Sequence, residues 1–207
     1  MELGSSPVMI PTPPNEMACD YMNEHIFERD RLPPRAYHIP RHAILLNGRW
    51  KFHYAASPGL APSERDELSD STTIEVPGHW QLQGWGKPHY TNVQFPFSVD
   101  PPFVPSENPT GTYETDFQIP RRWMDDGALR YRLRFEGVDS AFHVHLNGVN
   151  VGYSQGSRNA AEFDVTEVVA EDGEGLNRLR LQVYQWCDGS YIEDQDQWWL
   201  SGACERH

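Results

Sequence analysis

The chain has 207 residues, 38% of them hydrophobic, enough to bury one good core, as one large β domain or two small ones. A formal charge of -13 argues against a nucleic-acid surface, because a phosphate backbone calls for a basic one. Three cysteines (Cys19, Cys187, Cys204) are too few and too scattered for a disulfide framework or a zinc site.

The opening "MELGSSPVMIPTPPNEM" has neither a basic region nor an apolar centre, so it does not read as a secretory signal. No apolar run approaches the ~18 residues of a membrane span. A soluble, reducing, cytoplasmic setting without membrane contact is expected. Residues 1–43 are rich in proline and charge ("PTPPNEM", "RDRLPPRAYHIPRH") and are read as an extended arm, lying on something else or partly disordered.

Order is expected over residues 44–202. In "LLNGRWKFHYAAS", Trp50, Phe52 and Tyr54 alternate with Arg49, Lys51 and His53, the period of a half-buried strand. "TTIEVPGHW" offers a short strand through Ile74 and Val76, stopped at Pro77-Gly78. Tyr113, Thr115, Phe117 and Ile119 alternate with Glu114, Asp116 and Gln118, while "RRWMDDG" gives at most one helical turn with Asp125 and Asp126 as turn acids. In "LRYRLRFEGV", Leu129, Tyr131, Leu133 and Phe135 face one way and three arginines the other. "SAFHVHLNGVNVGYSQ" reads as two strands joined at Asn147-Gly148, residues that tolerate positive φ. "NRLRLQVYQW" closes the series with Leu179, Leu181 and Val183. Many short strands with turn punctuation predict an all-β antiparallel sandwich of jelly-roll or immunoglobulin type.

Two stretches resist this period. "GKPHYTNVQFPFSVDPPFVPSENPTG" is too long for a simple connection, and loops of that length tend to be functional or to cover a partner. "DGSYIEDQDQWWLSG" crowds Asp188, Glu193, Asp194 and Asp196 among Tyr191, Trp198 and Trp199, with Glu205 just beyond. On residue type alone Asn92 caps a turn, Asp196 is a rim charge, Trp198 and Trp199 are packing residues, and His143 and His145 are structural.

"YTNVQFPFSVDPPFVPSENPTGTY" closely resembles a segment of glycoside hydrolase family 2 β-galactosidases. The resemblance runs from Leu46 to Gly202, through "LNGRWKF", "VPGHWQLQGWGKPHY", "RFEGVDSAFHVHLNGVNVGYSQGSR", "EFDVTEVV" and "QWCDGSYIEDQDQWWLSG". It implies the N-terminal sugar-binding domain, a jelly-roll sandwich preceded by an extended arm. It also implies that Asn92 of Y-T-N-V and Asp196 of E-D-Q-D contact galactose hydroxyls, with Asp196 a sodium ligand as well. Gln155 and Asp188 are implied near a second, magnesium site. A hard cation takes oxygen ligands, and sugar hydroxyls pair with carboxylate and amide groups, so the residue types suit these roles.

A retaining glycosidase works with two carboxyl groups about 5 Å apart. In the resembling family these are glutamates of a later TIM barrel, so no catalytic residue is expected here and the chain alone is expected to be inactive. Its expected partners are a β-galactoside and the remainder of a β-galactosidase chain. The alternative is an autonomous carbohydrate-binding or complementing module acting with a separate catalytic chain; a third reading assigns the same fold to another sugar, since β-glucuronidases and β-mannosidases share it. Members of the family continue past W-x-x-S-G into another strand, whereas here "ACERH" follows, so residues 203–207 are read as an aberrant tail of a truncated product, and the isolated chain as marginally stable.

Overall fold

The computed structural model describes residues 16–35, 40–68, 71–124, 129–170, 175–193 and 196–203. Asp125 and Asp126, Asp194, and the tail with Cys204 and Glu205 lie outside the described residues, as do 1–15 and 36–39 of the arm. After a 3-10 segment, Glu16–Met22, come β1 (Glu28–Arg29), β2 (Gly48–Ala55), β3 (Thr72–Val76), β4 (His89–Thr91) and β5 (Thr110–Phe117). The four-residue helix Arg121–Met124 leads to β6 (Arg132–Phe135), β7 (Val138–Asp139), β8 (Ala141–Leu146), β9 (Val149–Gln155), β10 (Ala161–Asp164) and β11 (Asn177–Tyr184). A 3-10 turn at Asp188–Tyr191, β12 (Gln197–Trp199) and β13 (Gly202–Ala203) complete the described elements.

Seven strands form one sheet in the order β1-β9-β8-β11-β5-β2-β3, and β6 pairs with β10, β4 with β12 and β7 with β13. These pairings are antiparallel. The inward-facing alternation read from the sequence explains the layers. Trp50, Phe52, Ile74, Tyr113, Val144, Leu179 and Leu181 of the large sheet meet Tyr131, Leu133, Phe163 and Val165 on the opposing side in one buried cluster. Each such side chain contributes roughly 1.5–3 kcal/mol by leaving water. The fold is therefore the all-β antiparallel sandwich expected.

Two glycines are set by geometry. A Cβ on Gly111 would lie 2.7 Å from Trp80 Cζ3 and 2.8 Å from Phe52 Cε2, so only glycine lets β5 pass beneath those rings. At the β8–β9 hairpin Asn147 and Gly148 hold φ of 54° and 79°, the double positive turn that their sequence announces. Asn147 adds bonds from Nδ2 to Val168 O and to Asn177 Oδ1, each 2.9 Å, and accepts the Arg178 N–H at 2.9 Å.

The described part of the arm lies along the sheet. β1 pairs with β9, and Leu32 donates its N–H to Glu162 O at 2.7 Å. Asp20, 1% exposed, accepts 2.7 and 2.8 Å bonds from Arg29 and faces His143 Nε2 at 3.1 Å. Tyr21 stacks on Tyr184 at 4.5 Å, within a second buried cluster that also holds Trp186, Cys187 and Trp199.

Candidate functional site

β4 and β12 join the two stretches that broke the strand rhythm. Their register pairs Thr91 with Gln197, Tyr90 with Trp198 and His89 with Trp199. One step further along that register sets Asn92 opposite Asp196, so two segments distant in the chain end at one rim. Both residues are exposed. Tyr90 donates its hydroxyl to Asp196 Oδ1 at 2.6 Å, and this bond raises the phenol above its ordinary pKa. Asn92 Oδ1 accepts the Val93 N–H at 2.6 Å, the turn-capping role weighed for it, while its Nδ2 has no partner among the described residues.

The two tryptophans divide. Trp199 is 3% exposed and donates Nε1–H to Thr91 Oγ1 at 2.7 Å, a packing residue as expected. Trp198 is 57% exposed, its ring centroid 5.4 Å from that of Tyr90, which corrects its reading as a packing residue. The alternation of the strand forces this split: one ring points inward, the next outward.

Behind the rim the proline-rich loop is fastened to the segment after β11. Buried Asn108 donates Nδ2–H to Trp186 O at 2.8 Å and accepts the Trp186 N–H at 2.9 Å. Tyr191 donates its hydroxyl to Phe103 O at 2.6 Å and accepts the Asp100 N–H at 3.1 Å, with Phe95 and Phe97 against its ring. Glu193 accepts the Ser157 hydroxyl at 2.6 Å, and Arg158 donates to Gln197 beside Asp196. Burial, and secondarily the Glu193 charge, lifts Asp139 to about 7. Tyr90, Asn108, Ser157, Arg158 and Asp139 were not singled out by sequence reasoning. Nothing local marks them, because each partner lies on another strand or loop.

Gln155 and Asp188 meet as well. Gln155, at the end of β9, accepts the Tyr153 hydroxyl at 2.9 Å and hydrogen-bonds the Asp188 carboxylate, which also accepts the Gly189 N–H at 3.0 Å. Burial raises the Asp188 pKa despite those bonds, and the Glu24 charge adds to the rise. A desolvated acid beside a second carboxylate is a setting that a cation would relieve. Oxygen chemistry suits both sodium at Asp196 and magnesium at Gln155 and Asp188, but calcium- and magnesium-like ions take about six oxygens. Among the described residues there is no group of three or more His, Cys, Asp or Glu that could hold a metal. His143 is engaged by Asp20 and by Tyr184 at 2.9 Å, and burial lowers His145 to about 4.

The β-sandwich thus gathers an amide, a carboxylate and an exposed indole at one rim. The chain belongs to the glycosyl hydrolases family 2, whose sugar binding domain matches residues 44–206. It is 48% identical over 159 residues to a β-galactosidase of Pectobacterium atrosepticum, covering 76% of this chain and 15% of that protein. It is 43% identical over 202 residues to one of Alteromonas mediterranea (88% and 19%), and 44% over 181 residues to one of Kluyveromyces lactis (84% and 17%). The chain thus spans less than a fifth of the length of the curated relatives it matches. Among solved structures, a Faecalibacterium prausnitzii β-glucuronidase shares the fold with a TM-score of 0.53 at 21% identity, covering 72% of this chain and 22% of that one. Among the described residues no helix is long and apolar enough to cross a membrane.

Proposed function

We propose that the chain is the sugar-binding domain of a cytoplasmic β-galactosidase, contributing substrate and sodium contacts to hydrolysis of terminal β-D-galactosides while the bond-breaking carboxyl pair lies elsewhere in the polypeptide. The observation that carries this reading is the β4–β12 ribbon, which brings Asn92 and Asp196 to one exposed rim. Asp196 accepts from sugar hydroxyls, and the Asn92 amide nitrogen donates to a sugar oxygen. Tyr90 holds the acid in position. Trp198 offers a ring face to the apolar side of a pyranose. Sodium at Asp196, when bound, supplies a fixed positive charge for hydroxyl oxygens; Gln155 and Asp188 would hold magnesium away from the rim.

The alternative is a complementing module acting with a separate catalytic chain. One experiment addresses both. The purified chain is mixed with a polypeptide carrying the remainder of the Pectobacterium relative, and o-nitrophenyl β-galactoside turnover is followed, with a β-glucuronide as the control substrate. Turnover is expected only in the mixture and only with the galactoside. Asp196→Ala should cut it by about 100-fold at unchanged melting temperature, a loss of the size typical for a removed charged contact. Efficient cleavage by the chain alone would overturn the division of labour, and full activity of Asp196→Ala would overturn the site.

A further inference from the structure

Behind the rim, Ser157 stands between two acids that come from separate parts of the chain. Asp139 ends β7, and Glu193 follows the 3-10 turn at Asp188–Tyr191. The β8–β9 register pairs Ala141 with Gln155, and carried two steps further it sets Asp139 opposite Ser157. On its other side Asp139 pairs with Gly202 of β13.

A serine hydroxyl has one hydrogen to give. Buried Ser157 gives it to Glu193 Oε1 at 2.6 Å, and its N–H points to the same oxygen at 3.4 Å. What remains for Asp139 is a lone pair on Ser157 Oγ, which a carboxylate repels and a carboxylic acid can bond. A proton on Asp139 therefore completes a chain from Asp139 through Ser157 to Glu193. The surroundings favour that proton, since burial and then the Glu193 charge lift Asp139 to about 7.

The neighbouring elements add Arg158, His79 and Cys187. Burial holds the His79 imidazole below its ordinary value and lifts the Cys187 thiol to about 12, so near neutrality the first is uncharged and the second protonated. Asp188, next to Cys187, is bonded to Gln155. Arg158 connects the acids to the rim. Its guanidinium donates to Gln197, the first residue of β12 and the neighbour of Asp196 in sequence. Arg158 is exposed, and its charge also favours the ionised form of Asp139, so the acid and the amide compete for one guanidinium.

We propose that Asp139, Ser157, Glu193 and Arg158 form a proton-operated latch on β12. With the proton on Asp139, the chain to Glu193 is closed and Arg158 stays on Gln197. When that proton passes to water, two carboxylates face one hydroxyl, Arg158 turns toward Asp139, and β12 loses this anchor. The latch acts whatever ligand the rim takes.

The test titrates the whole chain by carboxyl carbon NMR, with Asp139→Asn assigning the resonance. Asp139 should show a midpoint of about 7, and Glu193→Gln should lower it by about one pH unit. Hydrogen exchange at the β12 amides, corrected for its intrinsic pH dependence, should be about tenfold faster at about pH 8.5 than at about pH 5.5, and Asp139→Asn should abolish the difference. Melting gives a third measure. A folded-state value raised above the unfolded one near 4 adds stability that is fully present below about pH 4 and is lost as pH rises through 7. Asparagine keeps the shape, stays uncharged and offers an N–H to the serine oxygen. Asp139→Asn should thus melt about 5 °C above the parent at about pH 8.5, the gap closing as pH falls toward about 4. A midpoint near 4, equal β12 exchange at the two pH values, or an Asp139→Asn variant less stable than the parent at the higher pH overturns the proposal.

Discussion

Asp20 shows how a single buried carboxylate fastens one part of the chain to another. Burial by itself would raise its pKa, but hydrogen bonds from His143 and Arg29 prevail and hold it below the ordinary carboxylate value. A group depressed in the folded state contributes stability that is fully present above its unfolded value near 4 and disappears as pH falls through the folded one. Acidification below about pH 4 should therefore release residues 16–35 from the sheet. Near-ultraviolet circular dichroism of the Tyr21–Tyr184 stack would record this. Asp20→Ala should lose the same signal at neutral pH and cost about 3 kcal/mol in urea melts, because it removes the buried carboxylate that bonds both Arg29 and His143. An unchanged signal in that variant would refute the account.

At the level of elements, legibility followed periodicity. Trp50 and Phe52 alternate over a full strand and were read correctly, and Asn147-Gly148 announced its own turn. β5 was legible on one face only. Glu114 appears among its polar positions yet is 2% exposed, held by Arg180 and Lys51, partners that no local pattern reveals. β4 and β12 are three residues each, too short to carry a period, so their pairing was invisible to alternation; Asn92 and Asp196 were picked out by family resemblance instead. The arm reads as polar, and its 3-10 segment and β1 depend on tertiary bonds. Gly152 is the contact on which β1 rests: a Cβ there would lie 2.4 Å from Arg29 O and 2.8 Å from Phe163 Cε1. Gly152→Ala should push β1 off β9, destabilise by about 1–3 kcal/mol, and make the chain tryptic at Arg29 or Arg31 under conditions where the parent is resistant. Resistance of the variant would argue that the arm is held by its other contacts alone.

For the molecule as a whole, composition left one large domain and two small ones equally open, and it gave no sign of an apolar groove beside β6. An apolar groove of about 840 Å³ forgoes burial that a closed sandwich would gain. The chain on its own should melt cooperatively below about 45 °C, the lower end for mesophilic domains, and bind a hydrophobic dye at the groove; a transition well above that would show the opening to be harmless. The strand order has a kinetic corollary. β2 and β3 attach to the sheet only through β5, and β5 joins β8 only through β11, the last strand of that sheet to be synthesised. During translation β2, β3 and β5 can pair with one another, but they join β8 and β9 in one sheet only after Leu179 and Leu181 have left the ribosome. Closure of the seven-stranded sheet is thus a late step, made through long-range pairings that leave the two halves of the nascent sheet apart until the end.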